Sequence, residues 1–592
     1  MIKATDKLVE IRKLMKDRGL DAYIVPANDS HAGERTTGHW KARSWVSGFT
    51  GSSGILIIMT EMAGLWTDSR YHIQAERELK GSGIDLFRFG LPDVPSHTKF
   101  LADKLPKDGK LGFDGRTMST ASFNTLKDEL KEKNIGYHYK DDLVGMIWND
   151  RPPLSAEKAY FHAPPFATTP ASKKIEAVRD KMKEKKYDYY LVSALDAVAW
   201  LLNIRGSDIP NIPLIYAHVL ISADDAHVFI DISKLDGISS QLTSEGITLH
   251  DYESLPGFLS GLKKGKIYYN GAATNVLLSE AIPSDLEQEN KTEQDIINPL
   301  KAVKSPEDVA NIRNAFIKEG AAMVKTLKWI EKNVSRGDLF ESDVANVLIE
   351  NRKLQKDYVY DAFPAICAYG ENAAQAHYSP GARGAQIMPE GFLLIDTGGN
   401  YLDGTTDTTR TIAVGPLTDN MKRDFPLVLK GHIALNKAVF LKGTTGPAID
   451  ILARLPLWQN GQNFGHGTGH GIGYFLGVHE GPHSISISKN AVALEPGMLI
   501  SNEPGIYKEG KYGIRTECII LVKQKMKTPD GEFYAFEVLT HCPIDKKALD
   551  TDLLTQDEIA WINDYHKRTL ETLSPHLTQD EQIWLKQATE AI

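Results

Sequence analysis

Residues 392–413 read FLLIDTGGNYLDGTTDTTRTIA, and this stretch decides the fold of the last third of the chain. An apolar run leads into Asp396, glycines follow, and a threonine-rich run continues from Asp407. We predict two antiparallel strands joined through a glycine-containing turn, which would bring Asp396 and Asp407 to one point. Either aspartate alone is better explained as a turn residue, because Asp stabilises turns through its own side chain.

Three more residues extend this pair of aspartates: His470, Glu503 and Glu517, which lie beside glycines or at the edge of apolar runs. A lone glutamate at the start of an apolar strand is costly unless it is paired or bound to a metal. Four carboxylates repel one another unless two divalent cations neutralise them. Oxygen-rich ligation with one nitrogen favours Mn²⁺, Co²⁺, Fe²⁺ or Zn²⁺, and paired ions activate water. The set predicts a metal-dependent hydrolase.

The segment GHGTGHGIG, residues 465–473, is the strongest local signal. Its alternating glycines disfavour a helix, so His466 and His470 are not a zinc-binding pair on one helical face; glycine here permits close backbone approach. A flexible loop is the plain alternative, and a phosphate cradle lacks its lysine and its strand–loop–helix context. His377 and His479 are candidate proton donors, whereas His483 has the structural role expected of a lone histidine.

Composition restricts the class of protein. The chain has 592 residues, 42% hydrophobic and 24% charged, with net charge −9, which predicts three or four domains and excludes a general nucleic-acid surface. Its cysteines are few and widely spaced, so neither a disulfide framework nor a thiolate zinc site is expected: Cys367, Cys518 and Cys542. The charged N-terminus and the lack of a run of about 20 apolar residues predict a cytoplasmic protein with no membrane partner.

A weak internal repeat organises the first half of the chain. Residues 11–25 align with residues 178–192 at an offset of 167, each as an amphipathic helix followed by a short strand, which predicts two similar α/β domains. Helix-then-strand is common enough that chance is the alternative. The stretch from Arg151 to Ser172 is rich in proline and small residues and is predicted to be a linker.

Capping signals mark the helices of the last domain. Ser305 can cap a helix that begins at Pro306, and apolar residues then keep to one helical face. Capping boxes at Thr555 and Thr578 predict two final helices.

Taken together, the motifs resemble the pita-bread metallopeptidases, and within them the long-form Xaa-Pro aminopeptidase (aminopeptidase P) family. The resemblance covers essentially the whole chain. It is carried by HYSP, LLIDTGGNYLDGTTDTTRT, GHGTGHGIG, VHEGP, SNEPGIY and GIRTEC, with FTGSSG, WTDSRYHIQA, WLLNIRG and residues 533–592 outside the site.

The resemblance implies an α/β (α+β) fold: two creatinase-like domains at residues 1–153 and 154–305, then a pita-bread catalytic domain at 306–592 with a helical C-terminal extension at about 533–592. It also implies a cytosolic homodimer that uses two Mn²⁺ ions and acts on peptides beginning Xaa-Pro. A hydroxide bridging the ions would attack the first peptide bond.

The resemblance assigns roles to residues of this chain. Asp396 and Asp407 would hold one metal, and His470 and Glu503 the other, with Asp407 and Glu517 bridging. Glu503 would act as general base. His377 and His479 would donate to the substrate or the tetrahedral intermediate, and His466 would assist proton movement. Tyr507 and Arg515 would line the proline pocket.

The nearest rival is a prolidase, an Xaa-Pro dipeptidase with the same metal set. Its family generally carries one N-terminal unit, whereas this chain has two and a C-terminal extension. A methionine aminopeptidase lacks such large N-terminal domains. A non-catalytic pita-bread binding module would have lost metal ligands, and all five candidates are present here: Asp396, Asp407, His470, Glu503 and Glu517.

Overall fold

The computed structural model describes residues 3–379, 381 and 383–592, and Pro380 of the HYSP motif lies outside them. The chain forms two compact units, Met1–Ile297 and Asn298–Ile592. The domain limits 1–153, 154–305 and 306–592 remain predictions. The residues just before position 306 make contacts within the second unit, because buried Lys301 and Lys304 both donate hydrogen bonds to Glu480.

The first half of the first unit is a six-stranded sheet, within the described residues, with strand order β4-β3-β2-β1-β5-β6. Its strands are β1 (Ala22–Val25), β2 (Ile55–Met59), β3 (Ala63–Thr67), β4 (Asp85–Arg88), β5 (Lys110–Phe113) and β6 (Gly136–His138). Its helices are α1 (Ala4–Arg18), α2 (Ala42–Ser47), α3 (His72–Glu78), α4 (His97–Lys104) and α5 (Thr120–Leu130).

The second half of that unit has another sheet, which is six-stranded over the part of the chain that the structure describes, in the order β12-β11-β10-β8-β13-β14. The strands are β7 (Tyr160–Phe161), β8 (Tyr189–Val192), β9 (Ile204–Arg205), β10 (Ala217–Ile221), β11 (Ala226–Ile230), β12 (Ile247–His250), β13 (Lys266–Tyr269) and β14 (Glu287–Glu289). The helices are α6 (Ala171–Lys185), α7 (Leu195–Leu202), α8 (Ser239–Ser244), α9 (Leu255–Ser260) and α10 (Val276–Ala281).

The two sheets have the same topology, which confirms the predicted repeat. Helix α1 with β1 and helix α6 with β8 lie at the offset of 167 found in the sequence. In each sheet the first strand after this helix pairs antiparallel on one side and parallel on the other. Strand β1 is buried along its whole length and β8 over its last three residues, as strands covered on both faces require.

The stretch from Arg151 to Ser172 is not only a linker. Strand β7 lies within it and pairs antiparallel with β9. Helix α6 then begins at Ala171, inside the same stretch. A strand of two residues has no periodicity that a sequence pattern could detect, because its pairing is set by a distant partner.

The second unit contains helices α11 (Ile297–Ala302), α12 (Pro306–Asn333), α13 (Glu341–Lys353), α14 (Asp419–Asn436), α15 (Gly446–Trp458), α16 (Gln556–Leu573) and α17 (Gln579–Ala588). Its first strands are β15 (Leu339–Phe340), β16 (Tyr358–Asp361), β17 (Ile366–Tyr369), β18 (Gln386–Ile387), β19 (Phe392–Thr397), β20 (Gly399–Tyr401), β21 (Gly404–Thr405) and β22 (Thr408–Ala413). The remaining strands are β23 (Val439–Leu441), β24 (Gly469–Gly471), β25 (Glu480–Ile485), β26 (Leu499–Asn502), β27 (Gly505–Lys508), β28 (Tyr512–Arg515), β29 (Cys518–Thr528) and β30 (Gly531–Val538).

Two sheets of the second unit carry the site. One has the order β17-β19-β22, and the other has the order β23-β30-β29-β26-β24-β25. The mixed α/β architecture is therefore that predicted. The final helices also form as predicted, but β30 belongs to the larger sheet, so the first residues of the predicted extension are part of the sheet itself.

Helix α12 begins where the sequence predicts. The Ser305 hydroxyl accepts from the Asp308 amide and the Asp308 carboxylate accepts from the Ser305 amide, which forms a capping box ahead of Pro306. The apolar residues of one face are buried: Val309, Ile312, Phe316, Met323, Leu327 and Ile330.

Candidate metal centre

Asp396 and Asp407 lie on the strands of one hairpin. Asp396 in β19 pairs with Thr409 in β22, and Asp407 immediately precedes β22. A Cβ at Gly398, between β19 and β20, would lie 2.0 Å from the Thr406 carbonyl oxygen, so the close approach of the two arms of the hairpin requires glycine there. The predicted hairpin is therefore present.

The other three candidate ligands come from neighbouring strands of the larger sheet. His470 is in β24, Glu503 follows β26, and Glu517 precedes β29; these three strands are adjacent. A backbone hydrogen bond from the Glu517 amide to the Thr409 carbonyl, 3.1 Å long, joins this sheet to the hairpin. The hairpin with Asp396 and the sheet segment with Glu517, 121 positions further along the chain, are thus hydrogen-bonded neighbours.

The glycines around His470 allow this approach. A Cβ at Gly469 would lie 1.8 Å from the Ser501 carbonyl oxygen, and one at Gly471 would lie 2.1 Å from the Glu480 carbonyl oxygen. Strand β24 fits between β25 and β26 only because these positions have no side chain.

One atom from each of Asp407, His470 and Glu517 lies within 4.8 Å of the others. His470 Nε2 is 3.6 Å from Asp407 Oδ2 and 3.4 Å from Glu503 Oε1. His470 Nδ1 lies 3.0 Å from the Gly471 carbonyl oxygen, which only accepts, so the proton is on Nδ1 and the Nε2 lone pair faces the carboxylates. That arrangement is typical of a histidine that binds a metal.

Several buried carboxylate oxygens of this cluster lack a donor. Among the described residues, Asp396 Oδ1, Asp407 Oδ1 and Glu517 Oε1 have no hydrogen-bond partner. Burial and the neighbouring carboxylates raise the pKa of Asp407 and of Glu517 well above the usual range, and burial raises the pKa of Glu503 to about 8. Divalent cations would neutralise the repulsion between the carboxylates, and the oxygens without a donor could coordinate them. The residues therefore fit divalent metal ions.

Two hydroxyls that the sequence analysis missed donate hydrogen bonds to the carboxylates of candidate ligands. Thr409 Oγ1 donates to Glu517 Oε2 over 2.8 Å. Ser501 Oγ donates to Glu503 Oε1 over 3.2 Å and accepts from the His470 amide over 2.9 Å. Thr409 lies two residues after Asp407 and Ser501 two residues before Glu503. Their contacts with Glu517 and His470 depend on how the strands pair, so the sequence does not show them.

Arg515, Tyr507 and His466 form a hydrogen-bonded chain beside the cluster. Arg515 donates to Asp396 Oδ2 over 2.5 Å and to the Tyr507 hydroxyl over 2.7 Å. The Tyr507 oxygen is 2.8 Å from His466 Nε2, and His466 Nδ1 faces the Gly467 carbonyl oxygen. Burial raises the pKa of Tyr507 to about 12, so the hydroxyl keeps its proton and donates to His466.

His479 and the backbone next to His377 contact residues of this cluster. The His479 ring packs edge-on against the His470 ring, with centroids 4.3 Å apart. His377 follows Ala376, whose carbonyl oxygen accepts from Arg515 over 3.4 Å. His483 instead lies inside the sheet, with Nε2 2.8 Å from the Leu499 carbonyl oxygen, as expected of a structural histidine.

Within the described residues, none of the helices has the length and hydropathy needed to cross a bilayer.

Comparison with known proteins gives matches over nearly the whole chain. Residues 310–524 match the sequence profile of metallopeptidase family M24, and residues 532–592 match the C-terminal region of that family. Residues 7–138 and 150–308 match the creatinase/prolidase N-terminal domain.

Individual relatives agree with these profiles. A probable Xaa-Pro aminopeptidase P of Laccaria bicolor is 36% identical over 99% of this chain and 93% of its own length. The X-prolyl aminopeptidase of Caenorhabditis elegans, described as a cytosolic enzyme with a di-nuclear active site, is 32% identical, with a TM-score of 0.96 and 100% of both chains covered. An Xaa-Pro dipeptidase of Bacillus anthracis is 26% identical and covers 63% of this chain and 99% of its own, with a TM-score of 0.51. This chain therefore belongs to metallopeptidase family M24, among the full-length relatives named Xaa-Pro aminopeptidase P.

Proposed function

We propose that the protein is a metalloaminopeptidase that hydrolyses the first peptide bond of peptides with proline in the second position. The observation that carries the proposal is the cluster of four carboxylates and one histidine, all buried or half-buried. Three of the carboxylates each have an oxygen without a hydrogen-bond partner among the described residues. The full-length likeness to relatives named Xaa-Pro aminopeptidase P supports the substrate class. The dipeptidase of Bacillus anthracis matches only 63% of this chain, which makes a prolidase the weaker candidate.

Two divalent ions fit the donor set. Asp396 and Asp407 would hold one, His470 and Glu503 the other, and Glu517 would bridge with Asp407. Oxygen ligands with one imidazole suit Mn²⁺, which we propose as the metal. When bound, the ions supply Lewis-acid polarisation of the scissile carbonyl and activation of water.

The chain's own groups handle the protons. Glu503, with a pKa near 8 before metal binds, would take the proton of the attacking water and pass it to the departing amine. His479, against the His470 ring, and His377, which follows the carbonyl that contacts Arg515, would donate to the oxygen that gains charge. The chain Arg515–Tyr507–His466 would line the proline side and assist proton movement.

Selectivity for proline has a physical basis. An Xaa-Pro bond has no N–H and a fixed ring, so a site that recognises an extended backbone through that N–H loses a contact. A site that instead contacts the ring with Tyr507, whose own ring is fixed by Arg515, does not need that N–H. The free amino end would be held by the carboxylates.

The deciding experiment follows product release by mass spectrometry from Arg-Pro-Pro, Arg-Ala-Pro, acetylated Arg-Pro-Pro and Gly-Pro. We expect release of arginine from Arg-Pro-Pro, far slower cleavage of Arg-Ala-Pro and no cleavage of the acetylated peptide. Cleavage confined to Gly-Pro would replace the assignment with a prolidase, because a prolidase must recognise the free carboxylate after proline.

We also propose a cytoplasmic homodimer. The relative from Caenorhabditis elegans is described as cytosolic. Helix α15 exposes an apolar stripe of Ile451, Leu455 and Trp458, which are 38%, 45% and 46% exposed and occupy one helical face. Light scattering of the wild type and of Leu455→Glu tests the dimer, which the variant should weaken.

A further inference from the structure

A buried arginine, Arg410, contacts the C-terminal region, and the proposed chemistry does not use this contact. Arg410, in β22, is 1% exposed, and within the described part of the chain its hydrogen-bond partners include no carboxylate. A buried guanidinium without a carboxylate must satisfy its five N–H groups on other acceptors. The acceptors of these N–H groups show which parts of the chain Arg410 connects.

One edge of the guanidinium binds the backbone of the metal centre. Arg410 Nη1 donates to the Glu517 carbonyl oxygen over 2.6 Å and to the Thr409 carbonyl oxygen over 2.8 Å. Thr409 also donates through its hydroxyl to the Glu517 carboxylate, and its carbonyl accepts from the Glu517 amide. Arg410 therefore holds both the main chain of Glu517 and the residue that orients its side chain.

The other edge binds the C-terminal region. Arg410 Nη2 donates to the Tyr565 hydroxyl over 2.7 Å and to the Cys542 carbonyl oxygen over 2.8 Å, and Arg410 Nε donates to the Pro543 carbonyl oxygen over 3.1 Å. Tyr565, on α16, is 2% exposed, and its hydroxyl also accepts from the Cys542 amide over 3.2 Å. The Thr540 and Cys542 carbonyl oxygens lie 3.0 and 2.9 Å from that hydroxyl and are the acceptors for its proton.

We propose that Tyr565 is a positioning residue: through Arg410 it fixes the backbone of Glu517, and the C-terminal region thereby sets the metal affinity of a centre that it does not touch. This proposal rests on the proposed function, because the role of Glu517 as a metal ligand is part of that function. Removing the hydroxyl leaves one Arg410 N–H and the Cys542 amide without their acceptor, so the guanidinium must move, and the Glu517 carbonyl with it.

The test uses the full-length protein stripped of metal. Tyr565→Phe removes only the hydroxyl. Tyr23→Phe is its matched control, because the Tyr23 hydroxyl is also buried, accepts from the Leu143 amide and donates to the Asp141 carbonyl oxygen in the first unit. Mn²⁺ affinity is measured by electron paramagnetic resonance of the free ion, and the ligand field by the visible absorption of the Co²⁺-loaded protein.

We expect Tyr565→Phe to weaken Mn²⁺ binding about tenfold, the lower range for a residue outside the ligands themselves, and to change the Co²⁺ spectrum. Arg410→Lys, which keeps the charge but cannot reach both sets of carbonyls, should act in the same direction. Tyr23→Phe should alter neither property, whatever its effect on Tm.

The proposal is overturned if Tyr565→Phe and Arg410→Lys bind Mn²⁺ with the affinity and Co²⁺ spectrum of Tyr23→Phe. A wild-type protein that binds neither ion would instead contradict the proposed metallopeptidase function. The two failures are thus distinguishable.

Discussion

At the scale of single residues, the contacts of the metal centre converge on Glu517. Its carboxylate accepts from Thr409, its amide donates to Thr409 and its carbonyl accepts from Arg410. Its other carboxylate oxygen, Oε1, is buried and has no hydrogen-bond partner among the described residues. His479 has a different position, since its ring packs edge-on against the ring of His470, one of the proposed ligands. Ligands and proton donors should therefore respond differently to substitution.

Glu517→Gln should lose bound metal and nearly all turnover, because a neutral amide cannot replace the bridging carboxylate that we propose. His479→Ala should keep its metal while kcat falls roughly 100-fold, the scale of a lost transition-state donor. Metal content by mass spectrometry and steady-state kinetics separate the two. The exposed Glu509→Gln is the control. A wild-type kcat in His479→Ala would remove this residue from the catalytic set.

At the scale of elements, the short strand β24, with glycine at both ends, positions His470. It lies between β25 and β26 in the larger sheet, with glycine on both sides of the histidine. Close packing of three backbones leaves no room for a methyl group at Gly469. Gly467, in the same motif, has ordinary space: its nearest neighbour would be 3.5 Å from a Cβ.

Gly469→Ala should therefore destabilise the protein by about 1–3 kcal/mol and remove most activity, because the overpacked strand must shift together with Ser501 and His470. Gly467→Ala should fold and remain active. Urea unfolding and kcat are the measurements. Equal behaviour of the two variants would contradict the role given to close backbone packing.

Helix α16 also makes folding of its own region depend on pH. His566 is fully buried, and its Nε2 accepts from the Ile544 amide over 3.1 Å. Burial, with the charges of Arg410 and Lys546, lowers the pKa of His566 to about 4. Between pH 6.5 and 4 the unfolded chain binds a proton here that the folded chain does not. This contribution to stability is present above about pH 6.5 and is lost as the pH falls towards 4.

His566→Gln should abolish that loss. The difference in unfolding free energy between variant and wild type should change by on the order of 3 kcal/mol in favour of the variant between pH 7.5 and 4. Urea unfolding of chelator-treated protein at each pH measures it. His576→Gln, at an exposed histidine, is the control. A difference that does not change with pH would contradict the assignment.

At the scale of the whole molecule, metal binding and folding of the second unit are linked. The proposed ligands lie between β19 and β29 in the chain and on both sheets, so the proposed centre exists only when both sheets are formed. Without cations, the buried carboxylates repel one another, which the raised pKa values of Asp407 and Glu517 express. Ions that bind only the folded state stabilise it.

Chelation should abolish activity and lower Tm, and Mn²⁺ should restore both. At an ion concentration about 1,000 times Kd, the stabilisation is about 4 kcal/mol. Calorimetry with and without chelator measures it. Glu517→Gln is the control, because its Tm should already be insensitive to the chelator. Full activity after verified removal of metal would contradict the mechanism.

The sequence by itself determined the local elements. Caps and apolar periodicity predicted α12 and the final helices, and the repeat predicted two similar α/β domains. An apolar run, glycines and a threonine-rich run predicted the hairpin of Asp396 and Asp407. These features depend on neighbours within a few residues, so they can be inferred from short stretches. The candidate ligands were named from the pattern of carboxylates, histidine and glycines, and the resemblance assigned their roles. The structure places Asp407, His470 and Glu517 together, with Glu503 beside His470, and their roles as ligands remain a prediction.

Only the tertiary structure decided what connects the ligands. The hydrogen bond from Thr409 to Glu517, the chain from Arg515 to His466, and the contact from Arg410 to Tyr565 join residues up to 155 positions apart. The strand β7 and the place of β30 in the sheet likewise depend on distant partners. Strand pairing is set by global register, and no local pattern encodes which buried donor meets which carbonyl.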